Sequence, residues 1–363
     1  MQTAIPCTLM RGGTSRGPYF LAADLPSDEG ARDQVLLSAM GSPDIRQIDG
    51  IGGATPVTSK VAILSPSDHP EADIDYLFAQ VSIEQAFVDT APSCGNILSG
   101  VGPFAIENGL VQASNGETLV RIRNVNTDSL IDAIVQTPGG EVEYEGSTAI
   151  DGVPGTAAPV LLNFKEIVGS KTSALLPTGN LKDVVDGVEV SCVDVSVPMV
   201  LIAASSLGKS GHESKADLDG DEAFLERLES IRRAAAHLMG MGDVSGKVVP
   251  KVGLLSSPVE GGNITSRYFV PASCHPSHAV TGAICVSVAT ALKGSVAGDM
   301  ANHEEDLPEQ CVIEHPSGRI AISLNLEPEG DLVNVISAGV VRTARKLFSG
   351  QVFVPASVWS GVL

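Results

Sequence analysis

The sequence predicts an α+β protein of two similar domains, each a mostly antiparallel, barrel-like sheet wrapped around a central helix. Three observations predict this fold class. Many segments alternate polar and apolar residues with period two, and two short helical segments carry small or apolar residues on nearly every face. These two segments begin at Cys94 and Thr281, one in each half of the chain. A helix without a polar face must be buried on all sides, and surrounding strands provide that burial.

Length and charge limit the possible functions. A chain of 363 residues corresponds to roughly two domains of about 150 residues each. The 43 acidic residues outnumber the 23 basic residues, and the formal net charge is −20. Such a chain repels nucleic acid and anionic lipid, so neither is an expected partner. An anionic substrate would need local positive groups at its site.

Cysteine usage and the lack of apolar runs point to the cytoplasm. None of the six cysteines forms a C-x-x-C pair, and the chain is far longer than a disulfide-stapled domain, so we expect free thiols in a reducing compartment. The first residues lack the apolar region of a signal peptide. No apolar run reaches the length of about 18 residues that a membrane span needs.

The individual elements follow from alternation, caps and turns. Strands are predicted at Ala4–Met10, Thr118–Val125, Glu141–Glu145 and Ser191–Val197, with a hairpin at Ile313–Leu326 that turns at Pro316-Ser317-Gly318. Amphipathic or capped helices are predicted from Asp28 to about Met40 and at Asp221–Met239, and the two buried helices at Cys94–Asn108 and Thr281–Leu292.

An internal duplication fits this order of elements. The offset that carries Cys94 onto Thr281 also carries the strand Ala4–Met10 onto Ser191–Val197. We expect the boundary just after the turn at Thr178-Gly179-Asn180. The first domain is then residues 1–184, with the segment 346–363 as a further candidate part of it, and the second domain is residues 185–345.

The turn Gly13-Thr14-Ser15-Arg16-Gly17 fits the pattern G-x-S-x-G of a nucleophile elbow. That elbow needs a helix after the serine, whereas the residues that follow here are typical of a strand. We therefore interpret the segment as a turn whose amides, with Arg11, Ser15 and Arg16, hold a carboxylate. An ordinary hairpin turn is the alternative.

Cys94 and Lys60 are the residues that best fit acid–base chemistry. Cys94 follows Ser93 and begins a helix with Gly95 and Asn96, where amide groups favour a thiolate or bind a carboxylate or enolate. The alternative is an inert buried cysteine. Lys60 begins an apolar strand, where partial loss of water favours the neutral amine of a general base. The alternative is a solvated lysine at the end of a strand.

Neither a metal nor a nucleotide is predicted. Cys274, His275 and His278 resemble part of a metal site, but a soft site needs three or four ligands and the sequence shows no second cluster. We interpret the two histidines as structural or substrate-contacting groups. No G-x-G-x-x-G fingerprint follows a predicted strand, which argues against a dinucleotide.

These motifs together resemble the PrpF-like family, relatives of diaminopimelate epimerase and proline racemase. The matching stretches are Met10–Phe20, Asp49–Leu64, Ser93–Val111, Ile150–Val160, Leu175–Asn180, His278–Cys285, His315–Gly318 and Val341–Gly350. The resemblance implies the diaminopimelate epimerase-like fold, an active site in the cleft between the domains, and proton transfer on a small unsaturated di- or tricarboxylate without a cofactor. Within the family, the sequence is similar to members that tautomerise 4-oxalomesaconate in the breakdown of gallate and protocatechuate.

The resemblance also implies residue roles. Lys60 and Cys94 match the family's acid–base pair, with the order of the two roles open. The second thiol of the epimerases has no match, because Thr281 and Gly282 begin that helix and Cys285 lies a turn further. The residues expected to bind substrate are Arg11, Gly13, Thr14, Ser15, Arg16, Ser93, Gly95, Asn96, Arg267, His278, Thr281, Gly282, Ser317 and Gly318.

Several alternatives stay open from the sequence. The proton shift is either keto–enol or allylic, and the substrate of a 2-methylaconitate or methylitaconate isomerase fits the same motifs. A non-catalytic carboxylate-binding protein is the alternative of another class, and it would not require both Lys60 and Cys94. We expect a homodimer.

Overall fold

A computed structural model describes residues 1–270, 273–303, 305, 307–330 and 332–361. The chain divides into two compact units. The first unit comprises Met1–Phe164 with Val341–Leu363, and the second comprises Lys165–Val340. Strands far outnumber helices in both units, which confirms the prediction of a mixed α+β protein rich in sheet.

The first unit is built of eight strands in its N-terminal part, three α-helices and the end of the last strand. The strands are β1 (Gln2–Gly12), β2 (Ser15–Leu21), β3 (Lys60–Pro66), β4 (Ile74–Val81), β5 (Val88–Asp89), β6 (Gly116–Asn124), β7 (Ser129–Thr137), β8 (Pro159–Phe164) and β16 (Leu332–Pro355). The helices are α1 (Glu29–Met40), α2 (Gly95–Leu98) and α3 (Val101–Glu107). The strand order is β1-β2-β3-β4-β6-β7-β8-β16, and β16 also pairs with β1.

Helices cover both faces of this sheet. A buried cluster that contains Ile5, Phe20, Val61 and Ile63 packs against α1 on one face. The helices α2 and α3 contact strands β1, β2, β3 and β7, and the Tyr19 ring on the other face lies 5.8 Å from the Phe104 ring. Because strand residues alternate between faces, Tyr19 and Phe20 point in opposite directions. The face that carries Tyr19 is called the inner face below.

The predicted single helix Cys94–Asn108 is two helices, α2 and α3. Pro103 lies in the first turn of α3 and has no N–H to donate to the carbonyl of Ser99, which interrupts the ladder of hydrogen bonds. Between the two helices, the hydroxyl of Ser99 donates to the carbonyl of Asn96 at 2.7 Å. The prediction of one continuous helix is wrong because it did not take Pro103 into account.

The second unit contains the remaining strands and helices. The strands are β9 (Asp183–Val185), β10 (Val188–Val195), β11 (Val197–Ala203), β12 (Lys251–Ser256), β13 (Ile264–Phe269), β14 (Gln310–His315), β15 (Gly318–Glu329) and the first part of β16. The helices are α4 (Lys215–Asp219), α5 (Glu222–Leu238), α6 (Val280–Thr290) and α7 (Val296–Met300). The strands follow the order β9-β10-β11-β12-β13-β14-β15-β16.

The helix α6 has strands around it. It contacts β10, β11, β14 and β15, and every residue from Gly282 to Thr290 is buried. This confirms the prediction of a helix without a polar face. It begins at Val280, one residue before the predicted start, and ends at Thr290.

Most other predicted elements are confirmed. The side chain of Asp28 caps α1, Asp221 caps α5, and His315 pairs with Gly318 in the β14–β15 hairpin. The predicted strand at Glu141–Glu145 is wrong. Its pattern alternates, but no ladder forms there, and Glu143 makes a single backbone bond to Gln136. Among the described residues, no helix is long and apolar enough to cross a membrane.

Candidate active site

Lys60 is held at the start of β3 by a neutral partner. Its ammonium nitrogen donates to Oε1 of Gln80 at 2.6 Å and lies 5.1 Å from the centre of the Phe78 ring. The Gln80 amide nitrogen donates to the carbonyl of Ser59 at 2.8 Å, which directs Oε1 towards the lysine. The side chain of Lys60 is therefore positioned by contacts on β4 rather than free in solvent.

Cys94 differs from the other cysteines of the chain. It is half-buried at the N-cap of α2, whereas the other five, Cys7, Cys192, Cys274, Cys285 and Cys311, are buried. Burial raises the pKa of each of those five thiols above its ordinary value. Cys94 is thus the cysteine with the access that a reacting thiol needs.

Lys60 and Cys94 both contact the inner face of β4. Tyr76, Phe78 and Gln80 alternate along that face, because side chains two residues apart on a strand point the same way. Lys60 contacts Phe78 and Gln80, and the Tyr76 hydroxyl donates to the carbonyl of Cys94 at 3.4 Å. The side chain of Lys60 and the backbone of Cys94 therefore contact the same face of β4.

Two buried tyrosines support the start of α2. The Tyr19 hydroxyl donates to the carbonyl of Ile97 at 2.5 Å, as Tyr76 does to Cys94. Burial raises the pKa of both phenols well above the usual range, and the nearby charge of Cys94 adds to that rise. Both hydroxyls are therefore neutral donors. Neither tyrosine was predicted from the sequence, nor were Phe78 and Gln80, although the alternation in β4 could have indicated their common face.

The β1–β2 turn lies against α2. Gly13 has a φ of +51°, and a Cβ placed on it would lie 2.1 Å from Oδ1 of Asn96. The Thr14 amide donates to that same oxygen at 3.3 Å. The structure therefore brings Gly13, Thr14 and Asn96 together.

Ser93 and Gly95 flank Cys94 directly. Because α2 has only four residues, the hydrogen-bond donors near Cys94 are the amides of its first turn rather than the dipole of a long helix.

Arg11 and Arg16 are paired residues next to the β1–β2 turn. Ile5, Cys7 and Phe20 belong to the buried cluster that packs against α1. By strand alternation, Arg11 points to the same face of β1 as Ile5 and Cys7, and Arg16 points to the same face of β2 as Phe20. Both therefore project from the face opposite to Tyr19. The part of Arg11 and Arg16 in substrate binding stays a prediction. Ser15 is buried at the turn.

His278 is neutral in the second unit. Its Nδ1 lies 3.0 Å from the carbonyl of Ala279 and donates to it, so Nε2 accepts from the Ser266 hydroxyl at 3.0 Å. Burial, with smaller contributions from the neighbouring His315 and His275, lowers the pKa of His278 to about 3, although the bond to the Ala279 carbonyl acts in the opposite direction. His278 is therefore a neutral group and cannot serve as the cationic partner of a carboxylate.

Arg267 and His278 contact opposite faces of β13. His278 bonds Ser266, and Arg267 is the next residue, so its side chain points the other way. Its Nε donates to the carbonyl of Glu213 at 2.9 Å, and Nη1 is buried without a partner. Arg267 and His278 therefore do not contact each other across β13, and their part in substrate binding stays a prediction.

The remaining predicted residues of the second unit lie near the start of α6 and in a hairpin. Thr281 is half-exposed in the first turn, and Gly282 makes room for the Tyr268 ring, since a Cβ there would lie 2.2 Å from a ring carbon. Ser317 donates its amide to Nδ1 of His315 at 3.3 Å and is followed by Gly318. Cys285 is fully buried and does not replace a second reacting thiol.

Cys274, His275 and His278 do not form a metal site. The Cys274 thiol donates to the carbonyl of His275 at 3.5 Å, and Nδ1 of His275 accepts from the amide of Ser277 at 3.0 Å. In the part of the chain that the structure describes, no group of three or more His, Cys, Asp or Glu side chains is arranged to hold an ion.

The candidate groups are a positioned lysine amine and an accessible thiol, and both residue types can exchange protons with a bound molecule. The chain belongs to the PrpF family, whose model, described as PrpF protein, matches residues 2–355. It is 50% identical over 361 residues to the 4-oxalomesaconate tautomerase of Pseudomonas putida KT2440, covering 99% of each chain. It is also 50% identical over 349 residues to the (4E)-oxalomesaconate Delta-isomerase of Novosphingobium sp. KA1, covering 96% of this chain and 97% of that one.

Solved structures agree with this family assignment. A methylitaconate-delta-isomerase is 36% identical and superimposes with a TM-score of 0.88, covering 98% of this chain and 97% of that one. A hydroxyproline epimerase from Agrobacterium vitis is 12% identical with a TM-score of 0.54, covering 98% and 97% of the two chains. The second likeness shows the epimerase-like fold alone.

Proposed function

We propose that this protein is an isomerase that shifts a proton within 4-oxalomesaconate or a closely similar unsaturated tricarboxylate. The observation that supports the proposal is that the Lys60 amine contacts Phe78 and the Cys94 carbonyl contacts Tyr76, two residues on one face of β4. Two relatives at 50% identity over nearly the whole chain are named for reactions of oxalomesaconate, which supports this substrate class.

The chemistry needs one group to remove a proton and another to return one. Lys60 and Cys94 are the two groups, and the net reaction breaks one C–H or O–H bond and forms another at the far end of the conjugated unit. No electrons leave the substrate, so no redox cofactor takes part. The amide oxygen of Gln80, which accepts from Lys60, carries no full charge.

Substrate binding is assigned to groups close to this pair and to the start of α6. In the first unit, the proposal uses Ser93, Gly95, Asn96, Gly13, Thr14 and Ser15. In the second unit, it uses His278, Thr281, Gly282, Ser317 and Gly318. Hydroxyl and amide donors in this set bind carboxylates through hydrogen bonds, whereas His278 already donates its only N–H to Ala279 and can only contact the substrate. The division into two domains of like architecture, with the active site in a cleft between them, stays a prediction made from the resemblance.

The decisive experiment follows exchange and product formation by NMR. The purified protein is incubated in D₂O with the keto and enol forms of 4-oxalomesaconate and, separately, with 2-methylaconitate and methylitaconate. We expect rapid interconversion of one oxalomesaconate pair with deuterium at the proton-accepting carbon. Binding of every acid without exchange would instead identify a non-catalytic carboxylate-binding protein.

Methylitaconate is the second candidate substrate. The solved methylitaconate-delta-isomerase covers 98% of this chain with a TM-score of 0.88, which favours the same allylic chemistry on a smaller acid. Faster deuterium exchange into methylitaconate than into oxalomesaconate would select it. A cytoplasmic homodimer is part of the proposal, and light scattering of the purified protein tests the dimer.

A further inference from the structure

We propose that Gln47 is a positioning residue for Lys60 and that it acts through Ser59 and Gln80. Gln47 lies in the loop between α1 and β3, well before the strand that carries the lysine. The inference rests on the proposed function, because it matters for catalysis only where Lys60 transfers a proton. The placement of the lysine amine can be measured without a substrate, so the two proposals fail separately.

The Gln47 side chain is fixed inside the protein, where the residue is only 1% exposed. Its amide nitrogen donates to the hydroxyls of Ser42 at 3.1 Å and Ser59 at 2.7 Å. Its Oε1 accepts from the amide of Ala54 at 2.8 Å. An amide nitrogen has two hydrogens, so both donors and the oxygen of this side chain are used. A buried polar group that is bonded at every atom has one well-defined orientation.

The backbone and a neighbouring glycine are adapted to this glutamine. Gln47 has a φ of +48°, in the left-handed region that costs free energy for a residue with a Cβ. A Cβ placed on Gly52 would lie 2.3 Å from the Gln47 side chain, so glycine leaves room for it. Asparagine or glycine adopts this φ at lower cost, so a longer side chain here indicates a role for its reach to Ser59. Strained positions of this kind concentrate at functional sites.

Ser59 is completely buried and connects Gln47 to strand β4. Its hydroxyl accepts from Gln47 and donates to the carbonyl of Val81 at 2.8 Å. Its carbonyl accepts from the amide of Val81 at 3.0 Å and from the side-chain nitrogen of Gln80 at 2.8 Å. A displacement of Ser59 therefore moves the atom that orients the Gln80 side chain.

Gln80 completes the connection to the lysine. Lys60 and Gln80 are paired residues of β3 and β4, and Oε1 of Gln80 accepts from the Lys60 amine at 2.6 Å. Without its bond to Ser59, the Gln80 amide is free to rotate, and a rotated amide presents N–H groups to an ammonium that needs an acceptor. The alternative is that Gln47 only closes its loop, which predicts a loss of stability without any displacement of Lys60.

Two variants interrupt the connection, and a third is the control. Gln47→Asn shortens the side chain by one methylene group, while asparagine suits the positive φ. Ser59→Ala removes the hydroxyl that Gln47 contacts. Ser191→Ala is matched to it, because Ser191 is also completely buried, donates to the carbonyl of Leu181 and accepts from the amide of Val296. Far-UV circular dichroism checks the fold of each variant, and either of the first two is sufficient for the test.

The first readout is the ¹³C NMR signal of Lys60 after reductive methylation of the lysines with ¹³C-formaldehyde. A dimethylammonium keeps one N–H for Gln80, and the loss of one signal in Lys60→Arg assigns it. The Phe78 ring, whose centre lies 5.1 Å from the amine, should displace this signal from those of exposed lysines. We expect Gln47→Asn and Ser59→Ala to shift the signal towards the exposed lysines, and Ser191→Ala to leave it in place.

The second readout is turnover. We expect Gln47→Asn to lose about tenfold in kcat while KM stays within about twofold of wild type, because the amine is displaced and the groups that bind substrate are not. In a Gln80→Leu background, Gln47→Asn should cause no further loss, since both changes act through one contact with Lys60. Losses that multiply would show that Gln47 acts by another route and would overturn the proposal.

The NMR signal decides between positioning and a purely structural role. An unmoved Lys60 signal in Gln47→Asn and Ser59→Ala, with a lower Tm, would overturn the proposal. An equal shift in Ser191→Ala would also overturn it, because any buried serine would then have the same effect. A shifted signal in a protein that isomerises none of the acids would support the positioning of Lys60 and contradict the proposed function.

Discussion

The ammonium of Lys60 and the amide oxygen of Gln80 lie 2.6 Å apart, and the amide nitrogen of Gln80 is bonded in turn to the carbonyl of Ser59. The glutamine therefore connects the lysine to the backbone that leads into its own strand. This arrangement holds an amine in place without a carboxylate, which suits a group that must both gain and lose a proton.

Changing Gln80 should move the pH profile of turnover. In Gln80→Glu, a carboxylate next to Lys60 stabilises the ammonium, so the limb of the kcat/KM profile that reports this lysine should move to higher pH. Gln80→Leu removes the acceptor, and a several-fold loss of kcat is expected because the lysine is no longer positioned. A purely structural role for Gln80 would lower the Tm of both variants and leave the profile in place. Kinetics between pH 6 and 10 make this comparison.

Cys94→Ala and Lys60→Ala should each lose turnover by about 10²-fold or more, since each removes one proton-transfer group. Cys7→Ala, at a buried cysteine, and Lys247→Ala, at an exposed lysine, are the matched controls. Both controls should keep near wild-type kcat. Steady-state rates and Tm values separate chemistry from folding, and full activity in Cys94→Ala would contradict the proposed pair.

Turnover should be unaffected by exhaustive dialysis against a chelator. A proton shift needs only an acid and a base, and the lysine–thiol pair supplies both. Rates before and after dialysis, with metal content measured alongside, test this expectation. Activity lost on dialysis and restored by zinc would direct attention to Cys274, His275 and His278.

Gly17→Ala should destabilise the protein and displace Lys60. A Cβ at position 17 would lie 1.7 Å from the carbonyl oxygen of Lys60, and backbone in a paired strand cannot move aside cheaply. We expect a loss of about 1–3 kcal/mol in the free energy of unfolding and a lower kcat. Gly30→Ala in α1 is the control, because its Cβ meets nothing closer than 3.4 Å and alanine favours a helix by about 0.5 kcal/mol. Urea unfolding measures both.

His278 should make the stability of the protein depend on pH. Its pKa is about 3 in the folded protein, against about 6.5 in the unfolded chain. Above pH 6.5 the imidazole is neutral in both states. As the pH falls from 6.5 towards 3, the unfolded chain binds a proton that the folded protein does not, so stability is lost.

The measurement compares His278→Gln with wild type. Between pH 6 and pH 4, the free energy of unfolding of wild type should fall by about 1.4 kcal/mol per pH unit more than that of the variant. Comparing the two proteins cancels carboxylates that titrate in the same range. Parallel pH curves would show that His278 becomes protonated without unfolding.

Local sequence patterns determined the elements of this protein and selected Lys60 and Cys94 as its predicted reacting pair. The alternation of polar and apolar residues predicted strand β6. Capping aspartates predicted helices α1 and α5, and the absence of a polar face predicted the burial of α6. These features depend on residues close in the chain, where propensity and hydrogen bonding act directly. The motif around Cys94 could be recognised because its residues are adjacent in the chain. The interruption near Pro103 was not predicted.

Tertiary structure decided which of these residues meet. Alternation places Arg11 and Gly12 on opposite faces of β1, but only the pairing with β16 and the contact with α2 decide which face carries Lys60 and Cys94. The neighbours Arg11 and Arg345 come from opposite ends of the chain. Neighbours so far apart in sequence are brought together by long-range strand pairing, whose register is specified by burial of one face and not by any local signal. For that reason the sequence could predict a positive turn at Arg16, but not that Arg16 points to the sheet face opposite to Tyr19.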